Sequence, residues 1–213
     1  MPTRPRTRTE RIRQGSRQRR EGAREDLRAR ILTTATKMLA MGGYETFSLR
    51  KLAERIGYSA TTIYLHFEDK DALVFAVLDE AMDRFGRALK EAFDSSDDAG
   101  ERLRRIGRAY VKFGLENPSR YQLMFQRPEY LTRRRPGRAK PPIDAFGILL
   151  QAVDLAIAAG VLEGSRDVLA DSLWAITHGI VGLGLLPEAT PERIEALGNL
   201  APSALVRGLG PVR

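Results

Sequence analysis

The sequence predicts an all-α protein: a small N-terminal three-helix unit built around a helix-turn-helix, followed by a larger helical C-terminal domain. Three observations predict it. From Asp26 almost to the end, apolar residues recur at i, i+3, i+4 and i+7, the spacing of amphipathic helices. Gly, Pro and Asn interrupt those stripes at helix-length intervals. Residues 48–70, SLRKLAERIGYSATTIYLHFEDK, place two helix starts and one helix stop within 23 residues.

Residues 1–25 are Arg-rich and poor in apolar side chains, and are expected to form a flexible basic arm. Leu27, Ile31, Ala35, Met38 and Leu39 then predict a first helix to about Met41, stopped by Gly42-Gly43. Ser48 is an N-cap type residue for a short helix carrying Leu49, Leu52, Ala53 and Ile56, and Gly57 sits where a left-handed C-cap is favoured. Ser59 restarts the chain as the cap of a further helix. There Ala60, Ile63 and Phe67 share one face, while Thr61, Thr62, Leu65 and His66 fall opposite and Tyr64 on the flank. A very short helix with small polar groups at its N-terminal end suits a DNA major groove, which admits a helix and is read by hydroxyls and methyls. The three helices define a DNA-binding domain over residues 26–70.

Residues 71–213 read as a second, all-helical domain. Asp69 or Asp71 caps a long helix to about Phe93, with Leu73, Val77, Ala81, Phe85 and Leu89 on one stripe. A helix through Leu103, Ile106, Tyr110 and Phe113 ends at Asn117-Pro118, and Pro118 suits the first turn of the next, with Tyr121, Leu123, Met124 and Phe125. Residues 127–142 hold four Pro and one Gly and read as a loop whose Arg133, Arg134, Arg135, Arg138 and Lys140 are solvated. Residues 144–159 form another helix, with Phe146, Leu149, Leu150, Val153 and Ile157 inward, ended by Gly160. Residues 166–186 are apolar nearly all round, with Leu169, Leu173, Ile176 and Ile180 on one stripe and Trp174, His178, Val181 and Leu185 on another. Ala175, Gly179 and Gly182 form a small-residue strip between them. Such a helix must be covered on several sides, and a second subunit is the natural cover for one of them. A final amphipathic helix runs over 191–209.

Residues 48–70, with Ala35, Gly42, Thr46 and Leu73, resemble the DNA-binding domain of TetR-family transcriptional regulators. The resemblance is strongest at Ile63-Tyr64-x-His66-Phe67-x-x-Lys70-x-x-Leu73. Trp174-x-x-x-His178-Gly179, with Asn117-Pro118-x-x-Tyr121-x-Leu123-Met124-Phe125 upstream, resembles the C-terminal domain of a TetR subgroup named for its Trp-His-Gly motif. The resemblance covers about 26–210. It implies a homodimer held by the last two helices of each subunit and a small-molecule pocket in each C-terminal domain.

Composition limits the function classes. With no cysteine there is no disulfide, thiolate metal site or catalytic thiol. Two His, at 66 and 178, are too few for metal chemistry without further ligands nearby. No run of ~18 apolar residues exists to span a bilayer, and no apolar signal segment opens the chain, so the expected location is the cytoplasm. Of the net charge of +8, residues 1–30 carry +7 (11 Arg against 4 acidic residues), which leaves +1 for the other 183. A basic arm beside a groove-reading motif points to phosphate or minor-groove contact, against the plainer reading of a solvated tail.

The expected DNA-contacting residues are Ser48, Ser59, Ala60, Thr61, Thr62, Tyr64, Leu65, His66 and Lys70. The expected ligand-contacting residues are Tyr110, Phe113, Tyr121, Met124, Phe125, Trp174 and His178; taken singly the aromatics read as core, and His178 as a hydrogen-bonded core histidine. No catalytic residue, metal or cofactor is expected. The function read from all this is a dimeric regulator, a repressor released from a palindromic operator by a small molecule. The rivals are a constitutive dimeric DNA-binding protein and a small helical enzyme, the latter opposed by the lack of a nucleophile–base pair or phosphate-binding loop.

Overall fold

The computed structural model describes residues 8–126 and 144–208, with side chains from residue 14 onward. The expected loop at 127–142 lies outside the described residues. The described residues are helical, with no strand among them: α1 (Arg8–Thr46), α2 (Leu49–Ile56), α3 (Ala60–Tyr64), α4 (Lys70–Asp94), α5 (Ala99–Glu116), α6 (Pro118–Phe125), α7 (Ala145–Ala158), α8 (Arg166–Gly184) and α9 (Pro191–Gly208). The chain divides into two compact units, Met1–Val77 and Leu78–Arg213. The division falls inside α4, beyond the 70/71 boundary expected from the sequence.

In the first unit, Ile31, Leu32, Ala35, Leu39 and Ala40 of α1 pack with Phe47, Leu52, Ala53, Ile63, Phe67 and Leu73, all nearly or fully buried. The caps form as the residue types predict. Ser48 Oγ accepts from the Lys51 backbone N–H at 3.2 Å and Ser59 Oγ from that of Thr62 at 3.2 Å. Gly57 ends α2 at φ 75° and ψ 34°, a left-handed conformation that favours glycine. Of the two candidate caps of α4, Asp69 takes the role, accepting from the Ala72 N–H at 2.7 Å. Asp71 instead accepts from the Tyr44 hydroxyl at 2.6 Å.

Two expectations for this unit are corrected. Residues 8–25 are not a flexible arm: α1 starts at Arg8 and continues without a break into the packed stretch. Arg, Gln, Glu and Ala are good helix formers. Once the helix is nucleated by its packed half, each further residue adds a hydrogen bond at little cost. An Arg17–Glu21 pair at 2.8 Å adds i,i+4 support. Gly43 does stop the packed helix as expected, at φ 70° and ψ −178°, and a short further turn runs on to Thr46. The expected recognition helix also ends sooner. It closes at Tyr64, so Leu65 and His66 sit in the turn after it and Phe67 is buried beyond it.

In the second unit, α5 is central and packs against α6, α7, α8 and α9. Asp98 caps it, accepting from the Glu101 N–H at 2.6 Å. Arg104, Arg105 and Arg108 donate to the Glu101 carboxylate and hold it down at about 2. Pro118 occupies the first turn of α6, Asp144 caps α7, and Gly160 closes that helix region at φ 67°. Gly114 on α5 meets α8 so closely that an added Cβ would lie 2.6 Å from Val181 Cγ1. Pro202 sits inside α9, buried, with the space beside Gly107 receiving its ring.

Candidate functional site

The helix-turn-helix presents its side chains in two layers. Ile63 is fully buried and Phe67 nearly so, and these two fix α3 to the unit. Tyr64 at 56% and Leu65 at 71% exposure stand outward, with Ser59 and Thr61 also exposed. Ala60, Thr62, His66, Ser48 and Lys70 are half-buried. The expected DNA-contacting residues thus gather at one end of the unit, but their roles differ. Ser48 and Ser59 are helix caps. The Thr62 hydroxyl sits 2.9 Å from Ser59 Oγ and is engaged in that cap. Thr61, Tyr64 and Leu65 remain as the outward groups.

Lys70 opens α4 with its ammonium 3.8 Å from the centre of the Tyr44 ring, a cation–π contact that holds the charge at the start of the helix. Tyr44 was not among the expected site residues. Its place in a Gly-rich helix stop gave no periodic signal, and only the fold brings it to Lys70. Burial, and after it the positive fields of Arg24 and Arg28, hold the His66 imidazole below its ordinary range, favouring its neutral form.

The expected ligand residues meet in the second unit. His178 of α8 lies between two tyrosines, its Nε2 2.8 Å from the Tyr110 hydroxyl and its Nδ1 2.6 Å from that of Tyr121. Both tyrosines are 2% exposed. A neutral imidazole satisfies this arrangement, donating from one nitrogen to one hydroxyl oxygen and accepting from the other hydroxyl. Burial lowers the His178 pKa and raises those of both tyrosines, so all three groups are held neutral.

Aromatic rings enclose this triad. Trp174 stands edge-to-face with Tyr110 at 5.1 Å, and Phe125 with His178 at 4.8 Å. Phe113 joins through Phe85 at 5.1 Å, and Met124 is buried beside them. Phe85 and Phe146 were read from the sequence as ordinary stripe residues. The structure puts Phe85 5.0 Å from Tyr110 and Phe146 5.3 Å from Trp174. Helical spacing says which residues turn inward, not which inward residues share a cluster.

Beside Tyr110, Trp174 and Thr177 lies a small void of about 20 Å³, room for a single water. Phe125, Phe146, Trp174 and His178 are only half-buried. An open cleft of about 570 Å³ lies elsewhere, over Val111, Leu115, Gly184 and Ile194. Its rim cations are already paired, Arg108 with Glu101 at 2.7 Å and Lys112 with Glu116 at 3.9 Å. Thr190, Glu195 and Asn199 also line this cleft, whereas the polar groups that converge on one point, Tyr110, Tyr121 and His178, are those of the aromatic cluster.

One face of α8 has no cover among the described residues. Val168, Ala175, Gly179, Leu183 and Leu186 are exposed, and a Cβ added at Gly179 would meet nothing within 4 Å. Leu200 of α9 is exposed at 61%. Among the described residues no group of His, Cys, Asp or Glu could hold a metal ion, and no helix is long and apolar enough to cross a membrane.

Comparison with known proteins agrees with both halves of this description. Residues 31–77 match the family described as bacterial regulatory proteins, tetR family, and residues 103–197 the tetracyclin repressor-like C-terminal domain. The HTH-type transcriptional activator FasR of Mycolicibacterium smegmatis is 28% identical over 109 residues, 51% of this chain and 49% of that protein. The HTH-type transcriptional regulator Rv1816 of Mycobacterium tuberculosis is 27% identical over 157 residues, 71% of this chain and 64% of its own length. The chain thus spans between half and two thirds of the length of these curated relatives. A solved protein of unknown function from Rhodococcus sp. RHA1 is 29% identical and superposes with a TM-score of 0.68, over 87% of this chain and 96% of its own. With both its helix-turn-helix and its C-terminal domain matched, the chain belongs to the TetR family of regulatory proteins.

Proposed function

We propose that the chain is a homodimeric transcriptional regulator that binds duplex DNA at a palindromic operator and answers to a small-molecule effector in the cytoplasm. The observation that carries this reading is the two-layered end of the first unit. Ile63 and Phe67 hold α3 from beneath, while Thr61, Tyr64 and Leu65 face out beside Lys70. Leu65 and the Thr61 methyl suit thymine methyl groups, and Tyr64 and Lys70 suit phosphate. The uncovered apolar face of α8, continued by Leu200, supports a second copy of the chain as partner. A two-fold dimer places two such helices in successive major grooves about 34–36 Å apart, hence the palindrome.

Effector binding is proposed at the aromatic cluster. Its polar groups are neutral, which favours an uncharged, largely apolar ligand with one hydrogen-bonding group for Tyr110, Tyr121 or His178. Such a ligand must favour one state of the second unit over another, and DNA affinity falls only if the two states differ in it. Repression is the proposed sign, and a promoter-fused reporter distinguishes it from activation, the role in FasR's name. A second reading is a constitutive DNA-binding dimer with no effector, favoured by the mutual hydrogen bonding that already satisfies Tyr110, Tyr121 and His178.

The test is selection of binding sites from genomic fragments, followed by operator titration with compounds drawn from the reactions encoded beside those sites. Recovery of a palindrome supports the regulator, and the absence of any enriched site overturns it. A compound that lowers operator affinity in the native protein but not in Tyr121→Phe supports the effector site. Operator affinity that no such compound changes supports the constitutive reading.

A further inference from the structure

The stripe of α1 that faces the core does not stop where the core stops. Ile31, Ala35 and Leu39 follow one another along that face at i, i+4 and i+8 and are buried. Continued toward the N-terminus at the same helical angle, it reads Arg28, Arg24, Arg20 and Arg17, and all four are exposed. One face of one helix is therefore apolar where it packs against α2 and cationic where no described residue covers it. Where the two halves meet, the Arg28 guanidinium stacks over the Phe67 ring at 5.0 Å. The fields of Arg24 and Arg28 reach His66, in the turn that follows α3. The cationic half thus begins beside the groove-reading residues. Glu21 lies at the edge of the stripe and pairs with Arg17 at 2.8 Å, both exposed, which leaves the face strongly positive.

Resting on the DNA-binding reading above, we infer that the N-terminal half of α1 is a phosphate-binding rail, which places Arg17, Arg20, Arg24 and Arg28 on the backbone of duplex DNA flanking the operator. Charge complementarity and continuity with α3 select this occupant. The helical state also selects the mode. A helix with its side chains is about 10–12 Å across, and the minor groove is about 6 Å wide, so an intact α1 cannot enter that groove as an extended arm could. From Arg17 to Arg28 the rail spans roughly 16 Å at 1.5 Å per residue, enough to pass about five phosphates of one strand at 3.4 Å each. Its contacts carry no sequence information, so the rail adds affinity and footprint without adding specificity.

The test uses the full chain and an operator selected from a random pool, prepared as a short duplex holding the palindrome alone and as a long duplex with flanks. R17Q/R20Q/R24Q should bind the short duplex as the native protein does and lose the native preference for the long one. Its log K against log[salt] slope on the long duplex should be shallower by about 0.9 for each phosphate no longer neutralised, or about 2.7 per protomer. Ala23→Pro keeps every charge but breaks the helix, and should lose the same preference while the thermal melt of the protein is retained. Exchanging A·T for G·C flanks should change nothing. Full long-duplex affinity in the triple Gln variant, or in Ala23→Pro, overturns the rail. A strong dependence on flank sequence overturns it in favour of minor-groove insertion. Failure of the native protein to bind either duplex overturns the regulator reading and the rail together.

Discussion

The two units handle mismatched polarity in opposite ways. The helix-turn-helix unit carries apolar side chains outside, with Leu65 71% and Tyr64 56% exposed. The C-terminal unit carries polar groups inside, with the Tyr110 and Tyr121 hydroxyls closed around His178. Each departs from the rule that apolar groups are buried and polar ones exposed, and each departure marks the residues proposed for binding. They differ in completeness. The inner triad is satisfied by its own members, whereas the outer residues are left uncovered by the described residues. A change inside should therefore cost folding stability, and a change outside should cost binding alone.

The largest expected effect is His178→Ala. It leaves two buried hydroxyls without their shared partner and opens a cavity, at about 2–4 kcal/mol of unfolding free energy. Urea denaturation measures it, and a loss under about 1 kcal/mol would show that water replaces the imidazole freely. The same residue predicts a pH dependence. Its folded pKa lies below its ordinary value, so below that value the unfolded chain binds more protons than the folded one. Its stabilising contribution is complete above about pH 6.5 and diminishes as the pH falls below it toward the folded pKa. Thermal melts between pH 8 and pH 5 should show this fall, and His178→Gln should reduce it to the part that His66, also held below its ordinary range, contributes.

Two glycines sharpen the comparison within α8 and its neighbour. Gly179→Leu should leave the monomer fold intact, because nothing lies within 4 Å of its added Cβ. In the proposed dimer it overpacks the contact by about 1–3 kcal/mol. Gly114→Ala should instead destabilise the unit itself, since its Cβ would press on Val181 at 2.6 Å. Sedimentation and denaturation together separate the two; a Gly179→Leu protein that remains dimeric at low micromolar concentration would place the interface elsewhere.

Leu65→Ala comes next, at about 1 kcal/mol on the operator, with little change on random DNA. Equal losses on both would make Leu65 a backbone contact. The smallest effect is Lys70→Ala, which should weaken all sequences alike and reduce the salt slope by about 0.9 per protomer. Tyr44→Leu should reproduce part of that loss by freeing the Lys70 ammonium from the ring it sits over. A Tyr44→Leu protein with native salt dependence would show that the ring does not position the charge.

Much of this was legible in the sequence because it depends on near neighbours. The caps at Ser48 and Ser59, the left-handed Gly57 and the first-turn Pro118 follow from the local preferences of their residue types. Helical spacing placed Ile63 and Phe67 inward and Leu65 outward. It failed where local composition pointed the wrong way. An Arg-rich segment reads as solvated coil, yet residues 8–25 are helix because the packed half of α1 nucleates them. The early end of α3 was not legible either, since the wheel that put Leu65 and His66 outward carries no signal for where the helix stops.

By itself, then, the sequence determined the helical class, the helix-turn-helix and the family, all of which rest on periodicity and on motifs a few residues long. Tertiary structure alone decided which distant residues meet. His178 reaches Tyr110 and Tyr121 across separations of 68 and 57 residues. Phe85 and Phe146 close the same cluster from α4 and α7, and Lys70 finds Tyr44. The physical reason is that a stripe of inward residues fixes only the direction in which each side chain points. Which partner it finds depends on how whole helices pack, and a close approach such as Gly114 against Val181, where an absent Cβ sets the distance, leaves no periodic trace in the chain.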